Sequence, residues 1–303
     1  MSSQWLKFWI LAFIWGSSFL LIKVAVDELG PLPLVTIRVG LSAFLFWLYM
    51  QFTHRKMPRY GEGLLPLIFV GLFNTTIPFA LISFGETRID SSLATVLNAT
   101  VPLSNLVIAH FVLADERLNL VKVFGLIVGF LGIIILMSND LRTGGSLIGQ
   151  LAVLLASISY AASIVMLRLK LRHLDPFTTA GWSLIFGAIA IVPTTLITIQ
   201  PLPYASASFT SIGSAIILAV INTFIAYFLF YSLIATWGVR ASLVTYATPP
   251  IGVTLGVVLL GEPLDWRLIV GGMLILTGII FTKMDNPITL WRVKRLQQHA
   301  TGD

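Results

Sequence analysis

The chain has 303 residues, of which 57% are hydrophobic and only 11% are charged, with a formal net charge of +6. A soluble domain carries roughly a quarter charged residues, and a globule of this size buries only about three quarters of its surface. This composition therefore excludes an ordinary soluble protein. The absence of cysteine excludes disulfides, thiolate catalysis and thiolate metal sites. The basic residues occur in short clusters between apolar runs, which is typical of membrane proteins and excludes a nucleic-acid partner.

The sequence predicts an all-α integral membrane protein with ten transmembrane helices. A membrane-spanning helix needs about 20 mostly apolar residues, and the connections between the runs are too short for a soluble domain. We expect the first run to be a retained helix, because no small-residue cleavage site follows it. A short interfacial helix is predicted at 288–296 in the polar tail. The predicted spans are 5–25, 33–53, 64–85, 91–113, 120–138, 146–167, 177–199, 209–235, 240–260 and 267–282.

The distribution of Lys and Arg predicts the orientation. With a cytoplasmic N-terminus, fourteen of these residues fall in cytoplasmic segments and four in outer segments. Positive charge is retained on the cytoplasmic side of membrane proteins. We therefore expect a multi-pass protein of the bacterial inner membrane with both termini in the cytoplasm.

The second half of the chain repeats the first in the same order, at offsets of 145–148 residues. An odd number of spans in each half would place the two halves in opposite orientations, and such inverted repeats are a hallmark of transporters. We divide the chain into a first repeat at 1–139, a second repeat at 140–283 and a basic cytoplasmic tail at 284–303. The matched residues are Trp15 and Tyr160, Ser18 and Ser163, Asn74 and Asn222, Thr75 and Thr223, Pro102 and Pro249, Glu116 and Glu262, Gly125 and Gly271, and Gly132 and Gly278.

Several segments resemble the EamA-type members of the drug/metabolite transporter superfamily. They are Trp15-Gly16-Ser17-Ser18, Arg38, Asp115-Glu116-Arg117-Leu118 and Leu260-Gly261-Glu262-Pro263-Leu264. The resemblance implies ten helices in two inverted five-helix repeats, and usually export of amino acids or related metabolites. The first repeat departs from the family pattern, because Ala114-Asp115-Glu116 stands where the second repeat keeps a Gly-Glu pair.

Polar and aromatic residues inside the spans are the candidates for substrate binding, because polar side chains in a membrane are costly and mark function. Asparagine amides offer donors and an acceptor to the carboxylate and ammonium groups of an amino acid, and matched aromatic residues offer stacking surfaces. For each residue the alternative is simple packing between helices. The candidates are Trp15, Ser18, Asn74, Thr75, Asn98, Tyr160, Ser163, Asn222, Thr223, Tyr227 and Thr245.

Charged residues give three further expectations. All thirteen Asp and Glu residues fall in loops, at span edges or in the tail, so no buried carboxylate is expected to carry a proton. Arg38 lies roughly 7–8 Å inside the second span at 1.5 Å per residue, and it either extends outward to the interface or binds a substrate carboxylate or a helix C-terminus. His110 is expected near the interface. Phe44 and Phe46 are expected to face lipid.

The preferred function is export of small neutral or zwitterionic metabolites, most plausibly amino acids, by alternating access around a central cavity. A cationic drug or polyamine antiporter is the alternative within transport, and an integral-membrane enzyme is the alternative outside it. No phosphate loop, catalytic triad or metal-ligand cluster supports an enzyme, a metal or a cofactor. The expected partners are a small-molecule substrate and the lipid bilayer. Gly125-x-x-x-Gly129 fits either packing within the chain or the face of a homodimer.

Overall fold

The computed structural model describes residues 3–55, 63–114, 116–143 and 146–283, and all regular secondary structure in these residues is helical. The predicted spans agree with the ten main helices of the described residues to within five residues at each end. The interfacial helix predicted at 288–296 lies outside the described residues. The helices are α1 Ser3–Leu29, α2 Pro31–Phe52, α3 Leu64–Glu86, α4 Ser91–Val112, α5 Leu120–Thr143, α6 Leu147–Leu171, α7 Pro176–Thr198, α8 Phe209–Trp237, α9 Arg240–Leu260 and α10 Trp266–Lys283.

Within the described residues, nine helices are long and apolar enough to cross a membrane, and α10 is a shorter apolar helix. Their outer faces carry large apolar side chains, with Phe209 93% and Phe111 81% exposed. Such an apolar surface is unfavourable in water, whereas the hydrocarbon core of a bilayer solvates it. Phe44 lies on this outer face as expected. The expectation for Phe46 was wrong, because its ring is fully buried against α8.

Three of the helices have irregular backbone at the depth of the predicted polar residues. Helices α3 and α8 contain π-helical segments at Leu72–Thr76 and Val220–Ile225, and α4 breaks at residues 99–100, just before Pro102. Proline lacks an N–H group, so Pro102 leaves the carbonyl of Asn98 without its usual helical donor. Single π-turns occur frequently at functional sites, and both of these turns carry one of the repeated Asn-Thr pairs.

The helices of the two halves pack in a reciprocal pattern. Helix α1 packs on α8 and α9 of the second half, and α6 packs on α3 and α4 of the first half. Helix α5 packs on α10, its counterpart in the repeat, and α2 packs on α7 in the same way. Both of these pairs run antiparallel. In the second pair Thr36 lies beside Thr195, while Met50, at the other end of α2, lies beside Gly181.

Glycine allows the close approach of α5 and α10. A Cβ atom on Gly125 would come within 2.6 Å of the carbonyl oxygen of Gly278, and one on Gly132 would come equally close to that of Gly271. Each contact therefore crosses the repeat: Gly125 meets Gly278, the counterpart of Gly132, and Gly132 meets Gly271, the counterpart of Gly125. Gly129 packs on Leu103 of α4. The structure thus uses the Gly125-x-x-x-Gly129 spacing for packing within the chain.

Candidate substrate-binding site

The two repeated asparagines form reciprocal hydrogen bonds with the two repeated serines of the opposite half. The hydroxyl of Ser163 on α6 donates to Oδ1 of Asn74 on α3 at 2.9 Å. The amide of Asn222 on α8 donates to the hydroxyl of Ser18 on α1 at 3.0 Å. Four residues predicted from the sequence therefore meet in two pairs, and each pair joins the two halves.

The two asparagines nevertheless have different surroundings. Asn222 is 2% exposed, and its amide also donates to the main-chain carbonyl of Ile14. This residue therefore ties α8 to α1. Asn74 is only half-buried, and the Tyr227 hydroxyl lies beside its side chain. Asn74 is thus the more accessible of the two asparagines, and among the described residues its amide group has no contact like the one that ties Asn222 to the main chain of α1.

Arg38 on α2 occupies the centre of this polar group. Its side chain is 7% exposed, and its Nε donates to Oγ1 of Thr223 at 3.1 Å. The guanidinium lies 3.8 Å from the centre of the Phe79 ring. The phenol groups of Tyr160 and Tyr227 and the carboxyl group of Glu86 interact with it electrostatically. Of the two alternatives for Arg38, extension outward to the interface is wrong; the sequence left the choice open because a helix position alone does not reveal which face of α2 packs inward.

Aromatic rings surround this polar group. Phe79 contacts Tyr160, with ring centres 6.4 Å apart, and Tyr227 contacts Phe46 at 6.0 Å. Further rings continue the cluster towards the end of α2 that precedes Arg55; they are Tyr49, Phe177, Phe224, Phe228 and Tyr231. We call Arg38, Asn74, Phe79, Tyr160, Ser163, Thr223 and Tyr227 the Arg38 cluster. It combines one cation, several hydrogen-bonding groups and apolar walls.

The remaining predicted residues lie outside the Arg38 cluster. Trp15 packs on Phe230, with ring centres 5.1 Å apart. Thr75 is buried beside Gly187 of α7. Asn98 is half-buried, and its Oδ1 has no hydrogen-bond partner in the described part of the chain. Thr245 is exposed and donates to a carbonyl of its own helix region.

At one end of the bundle Glu262 of the second half joins the first half, and a second contact there joins two helices of the first half. Glu262, which follows α9, accepts hydrogen bonds from the backbone N–H groups of Ser91 at 2.7 Å and Ser92 at 2.9 Å. It thereby caps α4 and complements the positive end of that helix. Burial alone would raise the pKa of Glu262, but the hydrogen bonds from Ser92 and Ser91 outweigh it and lower the pKa. Lys23 on α1 donates to the main-chain carbonyl of Glu86 at 2.7 Å.

The opposite end is joined by ion pairs. Glu116, the repeat counterpart of Glu262, pairs with Arg168 of the second half at 2.7 Å and with Lys122 at 3.3 Å. The hydrogen bond from Arg168 is the main reason that the pKa of Glu116 is lowered. The Nδ1 atom of His110 accepts a hydrogen bond from the main chain of Leu118, so this ring supports the loop between α4 and α5.

Glu86 corrects the expectation that no carboxylate is buried. It is the last residue of α3 and is 0% exposed, and neither carboxyl oxygen has a hydrogen-bond partner within the described ranges. Lys23 and Arg38 are charged groups near it, together with Glu262 and Asp27. The sequence placed Glu86 at the edge of a span, which is correct, but tertiary packing encloses that edge.

Other candidate sites in the described residues are weak. No group of three or more His, Asp or Glu side chains there could hold a metal ion. An apolar depression of about 420 Å³ lies between the ends of α1, α2 and α3, and none of its lining residues belongs to the Arg38 cluster. Its lining side chains are all apolar, so it offers no means of recognising a polar molecule.

Comparison with known proteins identifies the family. The model of the EamA-like transporter family matches residues 5–138 and matches again at 147–284. The chain belongs to this family. It is 25% identical to an uncharacterized transporter, YoaV, of Bacillus subtilis, covering 88% of this chain and 91% of that protein. It is 26% identical to an uncharacterized transporter of Archaeoglobus fulgidus, covering 91% of this chain and 97% of that protein.

Two further similarities are informative. The chain is 24% identical to protein PecM of Dickeya dadantii over 89% of each chain. One crystal structure superposes with a TM-score of 0.63 at 15% sequence identity, covering 93% of this chain and 97% of that chain. At that identity the likeness concerns the fold alone. This EamA-family protein is thus a membrane transporter built from a duplicated unit.

Proposed function

We propose that this protein exports small zwitterionic metabolites, above all amino acids with aromatic or large apolar side chains. The observation that carries the proposal is the Arg38 cluster, in which helices α2, α3, α6 and α8 bring hydrogen-bonding and aromatic groups together in an apolar bundle. Interior polar groups in a membrane protein are costly and mark the path of a polar substrate. An amino acid matches the cluster because it combines charged groups with an apolar side chain.

We propose alternating access as the mechanism, with a first repeat at 1–139 and a second repeat at 140–283 in opposite orientations, and ten spans. The antiparallel packing of α5 on α10 and of α2 on α7 supports inversion, because parallel repeats would place counterpart helices parallel to each other. The reciprocal bonds of Asn74 and Asn222 support it further. The Arg38 cluster draws on both repeats, as expected when transporters bind substrate between inverted repeats.

The two ends of the bundle supply the gates in this proposal. Glu262 seals one end by capping α4, and Glu116 joins the halves at the other end through Arg168. Because the two contacts share no residue and lie at opposite ends of α4, one can break while the other stays formed. With the charge distribution taken as the guide to orientation, the Glu262 end faces the periplasm and both termini face the cytoplasm.

A cationic drug or polyamine is a poorer substrate for this site. Arg38 places a positive charge in the cluster, and a cation would be repelled by it at close range. Glu86 is buried nearby, but it lies at the end of α3 rather than among the polar groups that surround Arg38. An enzyme would need catalytic groups arranged around a reacting bond, and the Arg38 cluster has no nucleophile paired with a general base.

Efflux from cells that overproduce the protein tests the proposal. Cells are loaded with radiolabelled amino acids, and efflux is compared with that of cells producing the Asn74→Ala variant. We expect faster efflux of aromatic and large apolar amino acids from wild-type cells and unchanged tolerance to quaternary ammonium dyes. Strong dye tolerance without amino-acid efflux would replace this proposal with a cation antiporter.

A further inference from the structure

We propose that Arg38 is the receptor for a carboxylate group of the substrate, so that transported molecules are monocarboxylates with an apolar or aromatic remainder. The inference rests on the proposed function and specifies its substrate class. It begins from the enclosure of Arg38, which is 7% exposed within a bundle that we place in the membrane. A buried cation without a partner is strongly unfavourable, so such cations are normally paired.

The described residues provide no such partner for Arg38. Its one hydrogen bond among these residues runs from Nε to the neutral hydroxyl of Thr223, and no carboxylate in this part of the chain lies within 4 Å of the guanidinium. An anion brought by the substrate would supply the missing charge. The site is therefore electrostatically incomplete until a ligand binds.

The geometry favours a carboxylate as that anion. Thr223 engages Nε and so fixes the plane of the guanidinium, while the Phe79 ring covers it at 3.8 Å. The two terminal nitrogens, Nη1 and Nη2, have no acceptor in the described residues. Together they present the parallel N–H groups that bind both oxygens of a carboxylate. A phosphate group is less suitable, because its greater charge calls for several cations and the Arg38 cluster holds one.

The surrounding groups indicate the rest of the ligand. Tyr160 and Tyr227 lie beside Arg38, and Phe79 contacts Tyr160. An aromatic ring attached to the bound carboxylate would lie among these rings, with Asn74 within reach of the ammonium group of an amino acid. The carboxylate is therefore the common requirement, and the ammonium group adds to binding through the neutral Asn74 amide.

Glu86 offers a competing explanation of the charge, because it is buried and interacts electrostatically with Arg38. Its other charged neighbours are Lys23 and Asp27 from α1 and Glu262 beyond α9. Under this explanation Arg38 would only balance Glu86, and neutralising both residues together would restore function. Under our proposal the double variant stays defective, because the carboxylate receptor is still absent.

Competition in proteoliposomes tests the proposal. Uptake of radiolabelled phenylalanine is measured in the presence of one unlabelled competitor at a time: phenylalanine, phenylpropionate, phenylalaninamide or phenethylamine. The proteins compared are the wild type and the Arg38→Lys, Arg38→Gln and Arg38→Gln/Glu86→Gln variants. Arg55→Gln is the matched control, because Arg55 lies at the far end of the aromatic cluster and pairs with Asp175. Each variant is first checked for a monodisperse profile in detergent.

We expect both carboxylates to compete with wild-type uptake and both ligands without a carboxylate to be at least tenfold weaker. Arg38→Gln should lower the affinity for phenylalanine about ten- to a hundred-fold, as for the loss of charged hydrogen bonds. The inhibition constants of phenylalaninamide and phenylalanine should then be nearly equal, so that their ratio is close to one. Arg38→Lys should retain part of the preference, and Arg55→Gln should retain all of it. An unchanged ratio in Arg38→Gln, or restored uptake in the double variant, would overturn the proposal.

A second readout separates this proposal from the proposed function. If wild-type protein takes up no phenylalanine, the proposed amino-acid substrate fails. Stabilisation of the purified protein against heat by phenylpropionate, lost in Arg38→Gln and kept in Arg55→Gln, would then still establish the carboxylate site. No stabilisation of wild-type protein by any of the carboxylates would refute the site itself.

Discussion

The seal formed by Glu262 gives a quantitative prediction. Its carboxylate accepts two hydrogen bonds from the backbone of α4, and it is 8% exposed. Each hydrogen bond to a charged group contributes roughly 1.5–3 kcal/mol, so removing both in Glu262→Ala should cost about 3 kcal/mol. This corresponds to roughly a hundred-fold increase in the open population of that end, because 1.4 kcal/mol is a factor of about ten.

Cysteine labelling can measure this opening, because the chain has no cysteine of its own. A thiol at Thr95→Cys would be the sole reactive group. Thr95 is 1% exposed, packs on Gly252 of α9 and lies one turn along α4 from the capped residues. Adding Glu262→Ala should raise the rate at which this cysteine reacts with a membrane-impermeant maleimide about a hundred-fold, in proportion to the open population. Adding Glu262→Gln should raise that rate by less.

Two companion variants make the result decisive. A methyl group at Gly256 would overlap Oε2 of Glu262, so Gly256→Ala should also speed the labelling of the cysteine at position 95. Asp265→Asn is the matched control, because Asp265 is exposed and pairs locally with Arg267; it should leave the rate unchanged. Equal labelling rates with and without Glu262→Ala would refute the reasoning that this carboxylate holds the end closed.

Three other predictions concern stability and pH. Gly278→Val should lower the melting temperature of the purified protein, because its Cβ would lie 2.5 Å from a carbonyl oxygen of α5 and overpacking costs about 1–3 kcal/mol. Gly213→Ala is the control, because its Cβ would meet no atom within 4 Å, and it should leave the melting temperature unchanged. Equal melting temperatures for the two variants would contradict the close packing of α5 on α10. Asn222→Ala should destabilise the protein by about 1–3 kcal/mol, since it leaves its buried hydrogen-bond partners unpaired. Asn74→Ala should instead reduce transport with little loss of melting temperature. The reverse result would mean that Asn74 holds the helices together and Asn222 contacts the substrate. Despite its burial, the hydrogen bonds from Ser92 and Ser91 lower the pKa of Glu262 below its ordinary value of 4.5, so this carboxylate stabilises the folded protein above pH 4.5. That stability is lost as the pH falls below 4.5 and through the lower folded pKa, so the melting temperature should decrease with pH in this range, and less steeply in Glu262→Gln.

The helices could be predicted from the sequence because the signal is local. A run of about 20 apolar residues in a membrane has few alternatives to a helix, and the structure follows the predicted ends closely. The repeat was also visible, because matched residues such as Asn74 and Asn222 recur in order along the chain. The sequence even supplied the partners Ser18 and Ser163, although only the structure joins each serine to the asparagine of the opposite half.

The orientation of individual side chains could not be predicted in the same way. Arg38 and Phe46 lie two turns apart on α2; Phe46 was expected to face lipid and Arg38 was left with two alternatives, whereas α3 and α8 enclose Arg38 and α8 covers Phe46. Depth along a helix is readable from sequence, but the direction around the helix depends on which neighbours pack there. Glu86 was misjudged for a related reason, because the end of α3 is enclosed by the segment around Lys23 of α1.

Counterflow in proteoliposomes tests the central claim most directly. Vesicles containing purified protein are filled with unlabelled phenylalanine and diluted into a trace of the labelled compound, without any ion gradient. The account predicts transient accumulation of label inside the vesicles, abolished by Arg38→Gln and retained in Arg55→Gln. Absence of accumulation for every aromatic and large apolar amino acid, together with counterflow of a quaternary ammonium cation, would contradict the account.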